Sequence, residues 1–121
     1  MKTGIIVFAH GSRVEPANEA VRAVARDLVR ASGCGQVVAA FLELGQPDLE
    51  SAADQLAGAG VERLVVIPYF LTLGLHMERD LPRLVERIAL KHSNLTVEVT
   101  PPLDGHPGLV AVLADRFRQA T

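Results

Sequence analysis

Three side chains in this 121-residue sequence have the types and positions that metal chemistry asks for: His10, Glu43 and His76. His10 closes the apolar run Thr3 to Ala9 (TGIIVFA) and precedes Gly11, which permits a tight turn and close approach of a ligand. Glu43 ends a second run, Gln36 to Glu43 (QVVAAFLE). His76 lies in an unusually apolar stretch, Phe70-Leu71-Thr72-Leu73-Gly74-Leu75-His76-Met77. Neutral imidazole nitrogens with one carboxylate suit a divalent first-row metal such as cobalt, iron or nickel. Taken singly, each histidine also has a plain structural reading, His10 at a helix start satisfied by a backbone carbonyl and His76 packed in place. No HExxH or CxxC pair occurs. A caged structural zinc is therefore not expected, and the set suits an open site that takes a metal and releases it.

Other chemistries have less behind them. Ser12 beside His10 is not in a GxSxG elbow, which argues against a serine hydrolase. Neither a GxxxxGK[ST] loop nor a GxGxxG turn is present, so no nucleotide cofactor is expected. Ser12 and Arg13, close to a helix start, form a candidate seat for a carboxylate or phosphate, and Arg79 is a candidate second cation. Either arginine is as readily a solvated surface residue. His92 falls near a helix carboxyl end, where an imidazole complements the dipole. His106 precedes Pro107 and reads either as part of the site or as a residue at a helix start.

The elements that must position these groups follow from periodicity. Continuous apolar runs predict strands at Thr3 to Ala9, Gln36 to Glu43, Glu62 to Pro68 and, more weakly, Leu95 to Val99. Between and after them the period changes to that of a helix. Ala17, Ala20, Val21, Val24 and Leu28 mark one inward face, and Leu49, Ala52, Ala53 and Leu56 a second. Leu81, Leu84, Val85 and Ile88 mark a third, with Pro82 in its first turn, and Leu109, Val112, Leu113 and Phe117 a fourth. Strand and helix alternating four times predict an α/β fold, a three-layer α/β/α domain over residues 1–121 with a four-stranded parallel sheet. In such a sheet ligands bind beyond the carboxyl ends of the strands. His10, Glu43, His76 and His106 all fall in segments that follow strands.

Composition narrows the partners. Twelve Lys and Arg against fourteen Asp and Glu give a formal charge of -2, which supplies no basic field for nucleic acid. No apolar run is long enough for a membrane span, and no secretory signal is evident. The one cysteine, Cys34, cannot form an internal disulfide, consistent with a cytoplasmic setting. The apolar segment around Phe70 to Met77 predicts either a pocket wall or a surface covered by a partner. A homodimer is the commonest way to cover one.

The motifs FAHGSR at 8–13, FLE at 41–43, IPYFLTLGLHMERDLP at 67–82 and PPLDGHP at 101–107 resemble those of the small CbiX-type class II chelatases, over essentially the whole chain. The resemblance implies a chelatase-like fold and insertion of a divalent metal, cobalt first, into sirohydrochlorin in cobalamin synthesis. It implies that His10 and His76 bind the metal and act in catalysis, assisted by Glu43. It also implies a homodimer. Insertion exchanges two pyrrole N–H protons for the ion, a task for bases that titrate near neutrality. Tyr69, Phe70, Leu73, Leu75 and Met77 are candidate walls for the flat ring, and Ser12, Arg13 and Arg79 candidate grips for its carboxylates. Iron insertion for sirohaem suits the same ligands, and nickel is a third candidate. A tetrapyrrole or metal carrier without turnover, or a partner-binding module, are the competing classes.

Overall fold

A strand that is apolar at every position needs cover on both faces, and the central strand has it. The computed structural model describes residues 1–120. Along the chain they form β1 (Thr3–Ala9), α1 (Glu15–Ser32), β2 (Val37–Phe41), α2 (Leu49–Gly58), β3 (Arg63–Pro68), α3 (Leu75–Lys91), β4 (Thr96–Val99) and α4 (Pro107–Gln119). The strands make one sheet in the order β2-β1-β3-β4, with every pairing parallel.

Alternate residues of β1 and β2 enter two separate cores, as the two-residue period of a strand requires. Ile6, Phe8 and Ala40 face Leu49, Ala52, Ala53 and Leu56 of α2 and Leu81 and Ile88 of α3. Val7, Ala9, Ala39 and Phe41 face the other way, onto Ala25 of α1 with Val21 and Leu28 beside it. The expected α/β/α layering is thus formed by α1 on one side and α2 with α3 on the other.

Three elements differ from the sequence expectation. The inward face of α1 is turned by about one residue: Asn18 and Ala25 are its buried positions, while Ala17 and Ala20 are exposed. A polar side chain holds a core position there, so the apolar count alone points to the wrong stripe. Helix α3 begins at Leu75, two turns before Pro82, which lies inside the helix. Met77 is buried and sits one turn ahead of Leu81, so the apolar stripe of α3 starts earlier than its proline suggests. Finally, α4 has the expected amphipathic pattern but no buried residue, and Val110, Leu113 and Phe117 are 70%, 68% and 72% exposed. On the sheet face that α1 covers over β1 and β2, the β3 residues Val65 and Ile67 are only half-buried.

Candidate active site

The chain leaves β1 for β2 on one side and returns to β3 on the other, so the strand order reverses beside β1. A cleft opens at the carboxyl end of the strands at such a point. His10 directly follows β1, and Glu43 lies two residues beyond β2. The strand pairing runs on past its formal end: the Leu42 N–H donates to the Ala9 carbonyl (2.9 Å) and the Glu43 N–H to the His10 carbonyl (3.1 Å). These bonds bring His10 Nε2 to 3.8 Å from Glu43 Oε1, with the two side chains 58% and 57% exposed. His10 Nδ1 lies 3.3 Å from the Gly11 carbonyl oxygen, an acceptor only. In the tautomer that donates there, the Nε2 lone pair is free. An exposed imidazole nitrogen and an exposed carboxylate oxygen 3.8 Å apart are two of the donor types that a divalent first-row ion takes.

Glycine is required where the two turns meet. Gly11 has φ +95°, and a Cβ there would stand 1.7 Å from the carbonyl oxygen of Glu43. A second tie comes from α1. The Asn18 side chain, 1% exposed, accepts from the Ser12 N–H (2.9 Å) and donates to the carbonyls of Ser12 (2.8 Å) and Leu44 (2.9 Å). Leu44 itself holds φ 57°, the left-handed region that non-glycine residues seldom adopt. Sequence reasoning missed Asn18. The available signal was an asparagine falling one helical turn before Val21 and Arg22 on the packed face.

His76 is exposed in the first turn of α3, behind Gly74 at the N-cap. It follows the β3 strand, at the same edge as His10. Among the described residues no three His, Cys, Asp or Glu side chains converge as a metal-holding group. The pair at 3.8 Å is His10 with Glu43, and His76 occupies its own turn at the same strand edge. The wall candidates divide. Phe70 packs edge-on to Phe8 (centroids 6.1 Å, 65°), Leu73 packs on the core, and Met77 is buried within it. Tyr69 and Leu75 present free surface, and so does Leu71, 65% exposed, which the sequence reading left out of the wall. The segment is tied down by the loop after β4: the Leu103 N–H donates to the Phe70 carbonyl (2.9 Å) and the Asp104 N–H to that of Leu71 (2.8 Å).

Arg13 and Arg79 are exposed. The Ser12 N–H is taken by Asn18, and the Ser12 hydroxyl accepts from the Val14 N–H (3.0 Å). An anion at this turn would meet the Arg13 guanidinium and the Ser12 hydroxyl proton, the Ser12 and Val14 amides being already engaged. His106 is the N-cap of α4, its Nδ1 accepting from the Gly108 N–H at 2.9 Å. His92 ends α3 and reaches Asp54 of α2 (Nε2 to Oδ1, 2.7 Å), beside Lys91 on the same carboxylate (2.8 Å). The Lys91 ammonium first, and His92 after it, hold the Asp54 carboxyl below its ordinary range. Cys34 is half-buried, its thiol donating to the carbonyl of Thr3 at the opposite end of the sheet (3.3 Å).

Comparison with known proteins identifies the family and the fold. The CbiX family model matches residues 4–120. A sirohydrochlorin cobaltochelatase of Methanothermobacter thermautotrophicus is 27% identical, the match covering 98% of this chain and 93% of the relative. A chloroplastic sirohydrochlorin ferrochelatase of Arabidopsis thaliana is 32% identical over 95% of this chain, which spans 51% of that protein. Among solved structures, a putative cobalamin biosynthesis CbiX protein from Marinobacter aquaeolei superimposes with a TM-score of 0.85 at 29% identity, covering 98% of this chain and 96% of the other. The sirohydrochlorin chelatase SirB from Bacillus subtilis, in complex with cobalt, shares the fold with a TM-score of 0.86 at 24% identity. It matches 98% of this chain and 51% of its own.

Proposed function

The chain belongs to the CbiX family, and on that footing we propose that it inserts a divalent metal, cobalt first, into sirohydrochlorin. The observation that carries the reading is the open imidazole–carboxylate pair, 3.8 Å apart at the strand edge. It occurs in a chain that matches a sirohydrochlorin cobaltochelatase along nearly the full length of both. The metal is a substrate here, so its ligands must be few and accessible, and a pair with more than half its surface free meets that need.

His10 Nε2 and Glu43 Oε1 receive the hydrated ion and present it to one face of the ring. As the metal forms bonds to the ring nitrogens, two N–H bonds break and two protons leave. His10, once it has passed on the metal, and His76 are the bases that accept them. Tyr69, Leu71 and Leu75 offer apolar surface to the ring, with Phe70 and Leu73 supporting it from beneath. Arg13, Arg79 and the Ser12 hydroxyl take the peripheral carboxylates. Residues 1–121 act as one catalytic domain, in the cytoplasm.

The working unit is a homodimer. Supporting this, α4 carries Val110, Leu113 and Phe117 into solvent, while Val65 and Ile67 lack a covering helix. A second copy is the occupant that would satisfy both surfaces at once. Iron insertion is the second reading, favoured by the 32% identity to a ferrochelatase.

An absorbance assay with sirohydrochlorin and cobalt, iron or nickel tests all of this. Turnover with cobalt fastest is the expected result. Iron fastest would move the assignment to sirohaem synthesis, and stoichiometric binding without product would make the protein a carrier. Wild-type rates in both His10→Ala and His76→Ala would remove the catalytic assignment.

A further inference from the structure

We propose that Asn18 is a positioning residue for metal insertion, a buried amide that fixes the separation of the His10 turn from the Glu43 turn. The proposal rests on the assignment of His10 and Glu43 as the metal-receiving pair. Neither of those side chains is held by packing, since both are more than half exposed. Their spacing is therefore set by the backbone of two turns, residues 10–13 after β1 and 43–46 after β2.

One side chain touches both turns from below. Asn18 Oδ1 accepts from Ser12 N–H at 2.9 Å, and its Nδ2 donates to the Ser12 and Leu44 carbonyls at 2.8 and 2.9 Å, with a longer contact to Glu15 Oε2 at 3.3 Å. A primary amide is the smallest side chain that accepts from one backbone group while donating to two others. The fit is close, because a Cβ at Gly45 would lie 3.1 Å from Asn18 Nδ2. Arg22, one turn along α1, adds a more exposed tie by donating to the Gln46 carbonyl (3.0 Å). At 1% exposure the Asn18 bonds face no competition from water, so they hold the turns far more tightly than surface contacts would.

The discriminating substitution is Asn18→Asp. It keeps size and shape and can still accept from Ser12 N–H, but turns a carboxylate oxygen toward the Ser12 and Leu44 carbonyls and toward the Glu15 carboxylate. Repulsion then opens the gap between the turns. Cobalt(II) titration without tetrapyrrole, insertion kinetics and thermal melting are measured for Asn18→Asp, Glu43→Ala, the double variant and His10→Ala. The expected result is a folded Asn18→Asp protein whose cobalt affinity and insertion rate both fall at least about tenfold. In the Glu43→Ala background the same change has less than about a twofold further effect, because the group being positioned is gone.

A tenfold loss that persists undiminished in that background would make Asn18 a general stabiliser and overturn the proposal. So would a folded Asn18→Asp protein with wild-type affinity and rate. A wild-type rate in His10→Ala identifies the other failure, that of the metal-receiving pair itself, and takes the proposal with it. If the buried carboxylate unfolds the chain, Asn18→Ser carries the same test, since one hydroxyl cannot reach both turns.

Discussion

Replacing Gly11 by alanine is expected to damage the site and the fold together, and Gly33→Ala supplies the control. Both glycines have positive φ, +95° and +74°, so each substitution carries the backbone penalty of a left-handed L-residue, about 1–2 kcal/mol. At Gly33 nothing lies within 4 Å of the added Cβ, and the cost ends there. At Gly11 the Cβ falls 1.7 Å from the Glu43 carbonyl oxygen, which must retreat by more than an ångström to reach ordinary contact at 3.4 Å. That movement breaks the bond from the Glu43 N–H to the His10 carbonyl and strains the one from Asn18 to Leu44. At about 1 kcal/mol each, they add about 2 kcal/mol to the penalty at Gly11. For a chain of this size about 4 °C of Tm corresponds to 1 kcal/mol, so Gly11→Ala should melt about 8 °C below Gly33→Ala. Insertion by Gly33→Ala should match wild type, while Gly11→Ala should lose at least about tenfold as Glu43 leaves His10. Melting curves and initial rates on the two proteins decide it. Equal Tm and equal rates would mean that the two turns do not depend on their close contact.

Further expectations test other parts of the molecule. Asp54 has its carboxyl held below the ordinary 3.8, by Lys91 first and His92 second. A carboxyl depressed in the folded state stabilises above its unfolded pKa and loses that contribution as pH falls through the folded value. Asp54→Asn should therefore lower Tm at about pH 7, with the deficit shrinking as pH falls below the ordinary 3.8, in melts across that range. His106→Ala removes an N-cap and should cost about 0.5–2 kcal/mol in denaturant unfolding. Its insertion rate should be that of wild type, and a loss there would return His106 to the site. Leu113→Asp with Phe117→Asp should weaken self-association by at least about tenfold in sedimentation, with both cores intact. An unchanged dimer would place the interface elsewhere.

Much of this architecture is legible in the residues themselves. β1 is apolar from Ile5 to Ala9 because two cores claim its alternate side chains, and β2 shows the same pattern. Periodicity was least informative where a residue had a second task. Asn18 occupies a buried helix position for its hydrogen bonds, so hydrophobicity points away from the face it belongs to. Pro82 has the composition of a helix start, yet Met77 and Leu81 place a continuous apolar stripe across it. For the site, strand order is what mattered: His10 and Glu43 are 33 residues apart in sequence and meet only because β1 pairs with β2. No spacing rule encodes that neighbour choice. The same holds for α4, whose apolar face is plain in sequence while its destination is not.

The last side chain buried in either core is Leu95. Every hydrophobic contact that holds His10, Glu43 and the sheet is thus complete before α4 begins at Pro107. The terminal helix is free to change composition, length or charge across generations without disturbing catalytic geometry, because no core side chain depends on it. If α4 forms the seam of the proposed homodimer, assembly and chemistry are carried by different stretches of the same chain. Selection could then remodel that seam while leaving the His10 and Glu43 turns as they are.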